Sequence, residues 1–294
     1  MKVLLTGANG QLGKSIIQKK PKGIELISFS RELFDITKPK ECKEKIIKIK
    51  PNWIINTAAY TYVDKAEEEE KLALKINKDG PKYLAELINQ FGGNLLHISS
   101  DFVFNGESKT PYLPFEEISP ISLYGLSKGL GEEEVIKVLG DKKKAIILRT
   151  SWVMGPYGRN FAKTMLNLHN RGEPFKVVSD QMGSPTSSIS LASTCWEIIK
   201  KATFSEKNLP IIMHWSDEGV TNWYEVALEI GKIGKRLNLI KNLSKIIPIS
   251  TDQYPKLANR PKFSVLDIED SKKILEIKSK HWKSSLFNAF NDYS

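Results

Sequence analysis

Lys2-Val3-Leu4-Leu5-Thr6-Gly7-Ala8-Asn9-Gly10-Gln11-Leu12-Gly13-Lys14-Ser15-Ile16-Ile17-Gln18 is the stretch that decides the fold. Lys2 to Thr6 has the composition of a buried strand, and Lys14 to Gln18 reads as the start of a helix. Between them, Gly7, Gly10 and Gly13 follow the spacing G-x-x-G-x-x-G. Glycines in that position let the backbone approach a pyrophosphate held at the helix N-terminus, and Gly13 lets the helix close on the strand. Asn9, Gln11 and Leu12 sit in the same turn and are expected to face the same ligand. A Gly-rich tight turn with no ligand is the competing reading, and the strand-turn-helix context argues against it.

Working outward, Ile24 to Phe29 reads as the second strand and ends in Ser30-Arg31. Sites that prefer NAD carry an acidic residue there, bonded to the ribose 2′-hydroxyl. A hydroxyl and a guanidinium suit a 2′-phosphate instead, so NADPH is expected, with NADH left open by Glu32 one residue on. Asp35-Ile36 is placed to reach an adenine; the alternative is that Asp35 caps a helix starting near Pro39. After a helix over 40–50, Trp53 to Asn56 is a strand ending in Thr57-Ala58-Ala59-Tyr60-Thr61, whose small residues leave room for a cofactor across the sheet. Glu67 to Glu70 is a solvated run on a helix reaching Ile76, Asn77 to Asn89 a further helix, and Leu95 to Ile98 the next strand. This alternation implies an α/β fold with a doubly wound, Rossmann-like parallel sheet.

Tyr124-Gly125-Leu126-Ser127-Lys128 carries the chemistry. On a helix, a phenol and an ammonium four residues apart share one face. A neighbouring cation favours the phenolate and brings the tyrosine toward the working range for proton transfer to a ketone oxygen. A surface helix with a half-buried tyrosine is the bland alternative. Ser100, at the carboxyl end of a strand, could share the carbonyl with Tyr124; otherwise it is a routine turn residue. Asp101 lies beside it on the expected substrate side.

The chain has 294 residues, enough for two modest domains. Pro156 and Gly158 follow the strand Ala145 to Thr150, giving a dinucleotide-binding domain over 1–151 and a smaller α/β substrate domain over 152–294. The strand Phe175 to Val178 and the helix Leu191 to Lys200 are expected to return to the first domain, within 175–205. Ile211 to Trp215 reads as a strand, and Asn222 to Gly231 as a helix with Thr221 as N-cap. His214 reads as a packed strand residue. Arg260, in the loop Ala258 to Pro261, is placed either to meet a substrate diphosphate or to form a salt bridge. The net charge of +10 is spread over scattered lysines that often neighbour glutamates, unlike a nucleic-acid-binding patch. It suits anionic small molecules. No apolar run approaches the ~20 residues of a membrane span. Met1 leads into the strand-like Val3-Leu4-Leu5 with no signal-peptide pattern, and Cys42 and Cys195 have no metal spacing, so a cytoplasmic protein is expected.

Taken together, Thr6 to Gly13, Asn56 to Glu67, Ser99 to Gly106, Tyr124 to Glu132, Leu148 to Asn160, Val177 to Thr186, Thr221 to Ala227 and Arg260 to Asp267 resemble the extended short-chain dehydrogenase/reductase superfamily. Within it the chain is similar to the dTDP-4-dehydrorhamnose reductases. The resemblance implies NAD(P)H-dependent reduction of the 4-keto group of a dTDP-sugar, with Tyr124 as proton donor, Lys128 lowering its pKa and gripping the nicotinamide ribose, and Ser100 in place of the family threonine. It further implies substrate contacts at Trp152, Asn160 and Gln181, and cofactor contacts at Ala59, Tyr60 and Thr61. Phe102 stands where the family has tyrosine, a departure that bears on the sugar rather than on the chemistry. No catalytic metal is expected, and the number of subunits, a homodimer included, is left open. The rival expectation within the fold is an NADP-binding regulatory subunit similar to the β subunit of methionine adenosyltransferase. A sugar-nucleotide epimerase is a third.

Overall fold

The computed structural model describes residues 1–205 and 209–292. The first half alternates β1 (Lys2–Thr6), α1 (Gln11–Gln18), β2 (Glu25–Phe29), α2 (Pro39–Ile49) and β3 (Trp53–Asn56). Two short helices follow, α3 (Val63–Ala66) and α4 (Glu70–Leu74), then a π-helical segment, Lys75–Asp79, that runs into α5 (Gly80–Phe91). Next come β4 (Asn94–Ser100), a 3-10 turn at Asp101–Val103, α6 (Leu123–Leu139) and β5 (Ala145–Thr150). The second half contains β6 (Val153–Met154), α7 (Phe161–Arg171), β7 (Phe175–Val178), β8 (Met182–Gly183), β9 (Thr186–Ser187) and α8 (Ser188–Phe204). It ends with β10 (Ile212–Trp215), β11 (Thr221–Asn222), α9 (Trp223–Arg236), β12 (Ile246–Ile249), α10 (Glu269–Leu275) and α11 (Trp282–Asn291).

The central sheet has six parallel strands in the order β10-β5-β4-β3-β1-β2. Its strands are apolar at nearly every position because helices cover both faces. Leu5, Ile55, Leu96 and Leu148 pack with Leu12, Ile16 and Trp196 on one face. Leu4, Ile54, Leu95 and Ile147 pack with Ile46, Leu84 and Val135 on the other. The order reverses at β1, which lies between β2 and β3. A crevice therefore opens at the carboxyl ends of these strands, where ligands of doubly wound sheets bind.

A second core, with Met154, Met165, Val226, Ile230, Leu286 and Phe290, joins α7, α9 and α11 beyond those strand ends. Of the two segments expected to return to the first unit, the helix does so and the strand does not. Phe175–Val178 pairs with Ile246–Ile249 in a separate two-stranded sheet, whereas α8 packs on α1 and β10 joins the central sheet beside β5. Phe175 finds its apolar neighbours in the second core, which explains its placement there. Asn222, not Thr221, is the N-cap of α9: its side chain accepts from the Glu225 N–H at 2.9 Å, while Thr221 pairs with Gly183. Among the described residues no helix is long and apolar enough to cross a membrane.

Candidate active site

The turn after β1 has the features a dinucleotide requires. Gly7 has φ +69°, a left-handed conformation that glycine adopts without strain. A Cβ on Gly13 would lie 2.4 Å from the Gly7 carbonyl oxygen, so only glycine permits this approach of α1 to the turn. α1 begins at Gly10 with no side-chain cap and no acid in its first turn, leaving its N–H groups and the positive end of its dipole to an anion. A cavity of about 220 Å³ opens here, lined by Gly7, Asn9, Gly10, Arg31, Ile36 and Ala58 among others. The residues fit a dinucleotide.

Other expected cofactor residues take different positions. The Leu12 side chain lies in the core, leaving only its backbone toward the turn. Gln11 Nε2 donates to the Val153 carbonyl at 3.1 Å. Ser30 is not in the cavity wall; its hydroxyl acts on the Glu32 carboxylate, whose pKa it lowers. Asp35 and Ile36 line the cavity. Asp35 closes a turn by accepting from the Thr37 N–H and hydroxyl at 3.0 and 2.8 Å, and Lys38 rather than Asp35 precedes α2, without a side-chain cap. Ala59 lines the same cavity. Tyr60 turns into the core and donates its hydroxyl to Glu69 at 2.8 Å, while Thr61 is exposed.

Ser100, Tyr124 and Lys128 gather at the end of β4. Ser122 caps α6, accepting from the Gly125 N–H at 3.2 Å. A Cβ on Gly125 would come within 2.1 Å of the Phe102 carbonyl oxygen, so the first turn of α6 presses on the 3-10 turn. That contact sets the rings of Tyr124 and Phe102 edge to face, 5.4 Å apart. The Ser100 hydroxyl lies close enough to the Tyr124 phenol to pull its pKa down and donates to Asp101 Oδ1 at 3.0 Å. Lys128, 2% exposed, donates its Nζ to the Ile98 carbonyl at 2.6 Å.

The electrostatics depart from the sequence expectation for the phenol. Burial, reinforced by the Asp101 charge, pushes Tyr124 up to about 12, with the Ser100 hydroxyl pulling the other way. Lys128 is not the dominant influence on it, because the ammonium is held on a backbone carbonyl. Burial pushes Lys128 itself down to about 8, and Glu132 opposes that shift. Burial raises Asp101 to about 6 against the hydroxyls of Ser264 and Ser100. At neutral pH the proton stands on the phenol.

Beside Phe102 a cavity of about 430 Å³ is lined by Trp152, Gln181, Trp223, Tyr254 and Arg260 among others. Trp152 has φ +46°, a strained conformation for a bulky residue. It stacks on Trp223 at 3.7 Å, and Gly183 makes room beneath its ring. Gln181 accepts from Trp223 Nε1 at 3.1 Å and donates to Thr251 Oγ1 at 3.0 Å. Asn160 lies outside this wall. Its side chain caps α7, accepting from the Lys163 N–H at 3.1 Å and donating to the Gly155 and Tyr157 carbonyls. Arg260 forms a two-pronged ion pair with Asp64, at 3.0 and 2.5 Å, and Asp64 also accepts the N–H groups of Leu257 and Ala258. The C-terminal loop is thus strapped to α3.

Sequence reading did not reach two buried groups. Asn77, in the π-helical segment, bonds to both the N–H and the carbonyl of Tyr60 and to Ser127 Oγ, tying the cofactor-side loop to α6. π turns of this kind concentrate at functional sites. Glu132 and Arg149 form a fully buried ion pair; the only sequence signal was Glu132 falling four residues after Lys128. A larger hollow, about 1020 Å³, lies at the opposite end of the sheet, by Met1, Asn52, Phe91 and Phe204. It contains none of the chemistry-bearing groups gathered at the carboxyl ends.

A glycine cradle at the switch point of a doubly wound sheet, with a serine, a tyrosine and a lysine converging two strands away, belongs to one class, and this chain is an oxidoreductase of the short-chain dehydrogenase/reductase type. The family model described as the RmlD substrate binding domain matches residues 1–294, and the chain belongs to that family. It is 37% identical over 289 residues to the dTDP-4-dehydrorhamnose reductase of Aggregatibacter actinomycetemcomitans, covering 98% of this chain and 97% of that protein. Among solved structures, a dTDP-4-dehydrorhamnose reductase from Clostridium acetobutylicum matches with TM-score 0.87 and 39% identity, over 100% of this chain and 99% of that one. The enzyme from Bacillus anthracis in complex with NADP matches with TM-score 0.90 and 34% identity, over 99% of both chains.

Proposed function

We propose that the chain reduces the 4-keto group of dTDP-4-dehydro-6-deoxy-L-mannose to give dTDP-L-rhamnose, acting in the cytoplasm with NADPH. The observation that carries this reading is the meeting of the Tyr124 phenol with the Ser100 hydroxyl, beside Lys128, on a chain matched along its whole length by reductases of this sugar. NADPH, when bound, supplies hydride to the ketone carbon. Gly7, Gly10 and Gly13 would seat its pyrophosphate, and Arg31 would stand beside the 2′-phosphate. Ser100 orients the ketone oxygen, and Tyr124 delivers its proton there as charge builds on that oxygen. With its pKa raised to about 12, the phenol keeps its proton through neutral pH and is still a stronger acid than the alcohol it creates. Lys128 steadies the charge the phenol leaves behind.

The two units divide this work: residues 1–151 with the later return strand and helix hold the dinucleotide, and the smaller unit holds the sugar nucleotide. Trp152, Gln181 and Arg260 then line the sugar-nucleotide side, and Asn160 acts through the start of α7. The assay is loss of NADPH absorbance with the keto-sugar nucleotide. Turnover with formation of dTDP-L-rhamnose is expected; no turnover with that or any related keto-sugar overturns the reading.

A further inference from the structure

Tyr124, Lys128 and Glu132 follow one another at intervals of four residues along α6, so all three share one face of the helix. Glu132 is 1% exposed and held from two neighbouring strands. From β4, Ser99 Oγ donates to Glu132 Oε1. From β5, Arg149 Nε donates to Oε1 at 3.0 Å and to Oε2 at 3.1 Å, and its Nη2 donates to Oε2 at 2.6 Å. Arg149 is itself fixed: Nη1 donates to the Pro114 carbonyl at 3.2 Å, and the guanidinium lies 5.1 Å from the centre of the Phe104 ring. A buried ion pair is weak evidence for stability, since an apolar pair of the same shape often serves as well. Its position invites a different explanation.

We propose that Glu132 is a positioning residue for the reduction: clamped by Arg149 and Ser99, it presents a fixed negative charge one helical turn from Lys128 and keeps that buried ammonium charged at the working pH. The pair is oriented for this. Its carboxylate lies on the catalytic helix, four residues from Lys128, and its guanidinium comes from β5; of the two, the carboxylate is the charge that acts on Lys128. Burial alone drives a lysine toward the neutral form, and Glu132 is the charge that opposes burial at Lys128. The other groups around the ammonium do not substitute for it. From β4, the Ile98 carbonyl accepts its hydrogen bond, and His97 is held neutral by burial and by Lys128 itself. On α6, Tyr124 keeps its proton. Asp101, in the 3-10 turn, acts on Tyr124 rather than on the lysine, and from the π-helical segment the neutral Asn77 donates to Ser127 beside it. The proposal rests on the reading of Lys128 as the partner of Tyr124.

The test uses the whole chain with 13Cε-labelled lysine, in which the Lys128 signal is assigned by its loss in Lys128→Met and titrated without substrate or cofactor. Removing one member of a buried pair strands the other, so the informative variant is the double one, E132Q/R149M, which keeps an acceptor for Ser99 and leaves no lone charge. Loss of an opposite charge at this range is expected to lower the Lys128 midpoint by about one unit or more. In steady-state assays the alkaline limb of the turnover profile should move to lower pH by the same amount, with activity recovering toward wild type as pH is lowered. A purely structural role predicts a uniform loss at every pH with both midpoints in place, and that result overturns the proposal. If the double variant does not fold, Glu132→Asp provides the second measurement: drawing the carboxylate back by one methylene must lower the midpoint in the same direction, and an unchanged midpoint refutes the idea. The titration does not depend on substrate, so its failure is distinct from failure of wild-type turnover, which would remove the reductase reading itself.

Discussion

The Tyr124 hydroxyl is the atom on which the proposed reduction turns. Tyr124→Phe removes that proton and nothing else from the edge contact with Phe102, so turnover is expected to fall by ~10²-fold or more while NADPH affinity, read by fluorescence, stays near wild type; full activity would contradict the assigned role. Asp101 offers a second test at the same scale, through pH. Folding raises its pKa from 3.8 to about 6. A carboxyl raised in the folded state holds its proton more tightly there, so its contribution is largest below the unfolded value and is lost as pH climbs through that window. The melting temperature of Asp101→Asn relative to wild type should therefore rise between these two values and level off above them. A difference that stays flat across the window would show that Asp101 is not buried as described.

At the scale of elements, the β1–α1 unit was the most legible, because glycine spacing between a strand and a helix carries a backbone requirement that side chains cannot mimic. Gly13→Ala tests it: a methyl 2.4 Å from the Gly7 carbonyl must push α1 outward. Overpacking of this sort costs about 1–3 kcal/mol, and the distorted cradle should lose about tenfold in NADPH affinity by calorimetry. The parallel, doubly wound character of the sheet followed equally well from the alternation of apolar strands and helices, whereas its strand order came only from the structure. What stayed hidden has a common cause. Asn77 bonds to Tyr60, 17 residues away, and to Ser127, 50 away, and Glu132 finds Arg149 on another strand; periodicity does not register such partners. Phe175–Val178 was a strand as expected, but a short apolar run does not reveal which sheet will accept it. Thr221 and Asn222 are both good caps; both pair in β11, and it is Asn222, next to α9, whose side chain reaches the Glu225 N–H.

For the molecule as a whole, the contact between Asp64 and Arg260 ties α3 to the loop that forms one wall of the cavity beside Phe102. Burial draws the Asp64 carboxyl upward, and Arg260 with the Ala258 and Leu257 N–H groups outweighs it, so the pKa lies below its usual value. The strap is accordingly at full strength at neutral pH and is released as acid protonates Asp64. Asp64→Ala should raise KM for the sugar nucleotide several-fold with a smaller change in kcat, since it loosens a wall of the substrate cavity and leaves the reacting groups in place; unchanged KM would mean the loop holds its position without the strap. The return of α8 and β10 to the first unit bears on how the protein can be taken apart. β10 covers the outer edge of β5, and Trp196 of α8 caps the Ile16 side of α1 through a 3.0 Å bond to its carbonyl. A truncated fragment ending at residue 151 would therefore bare one sheet margin and an oily helix flank at once. Excision would give not a free-standing nucleotide reader but a sticky half-molecule, whose rescue requires the distal polypeptide supplied in trans.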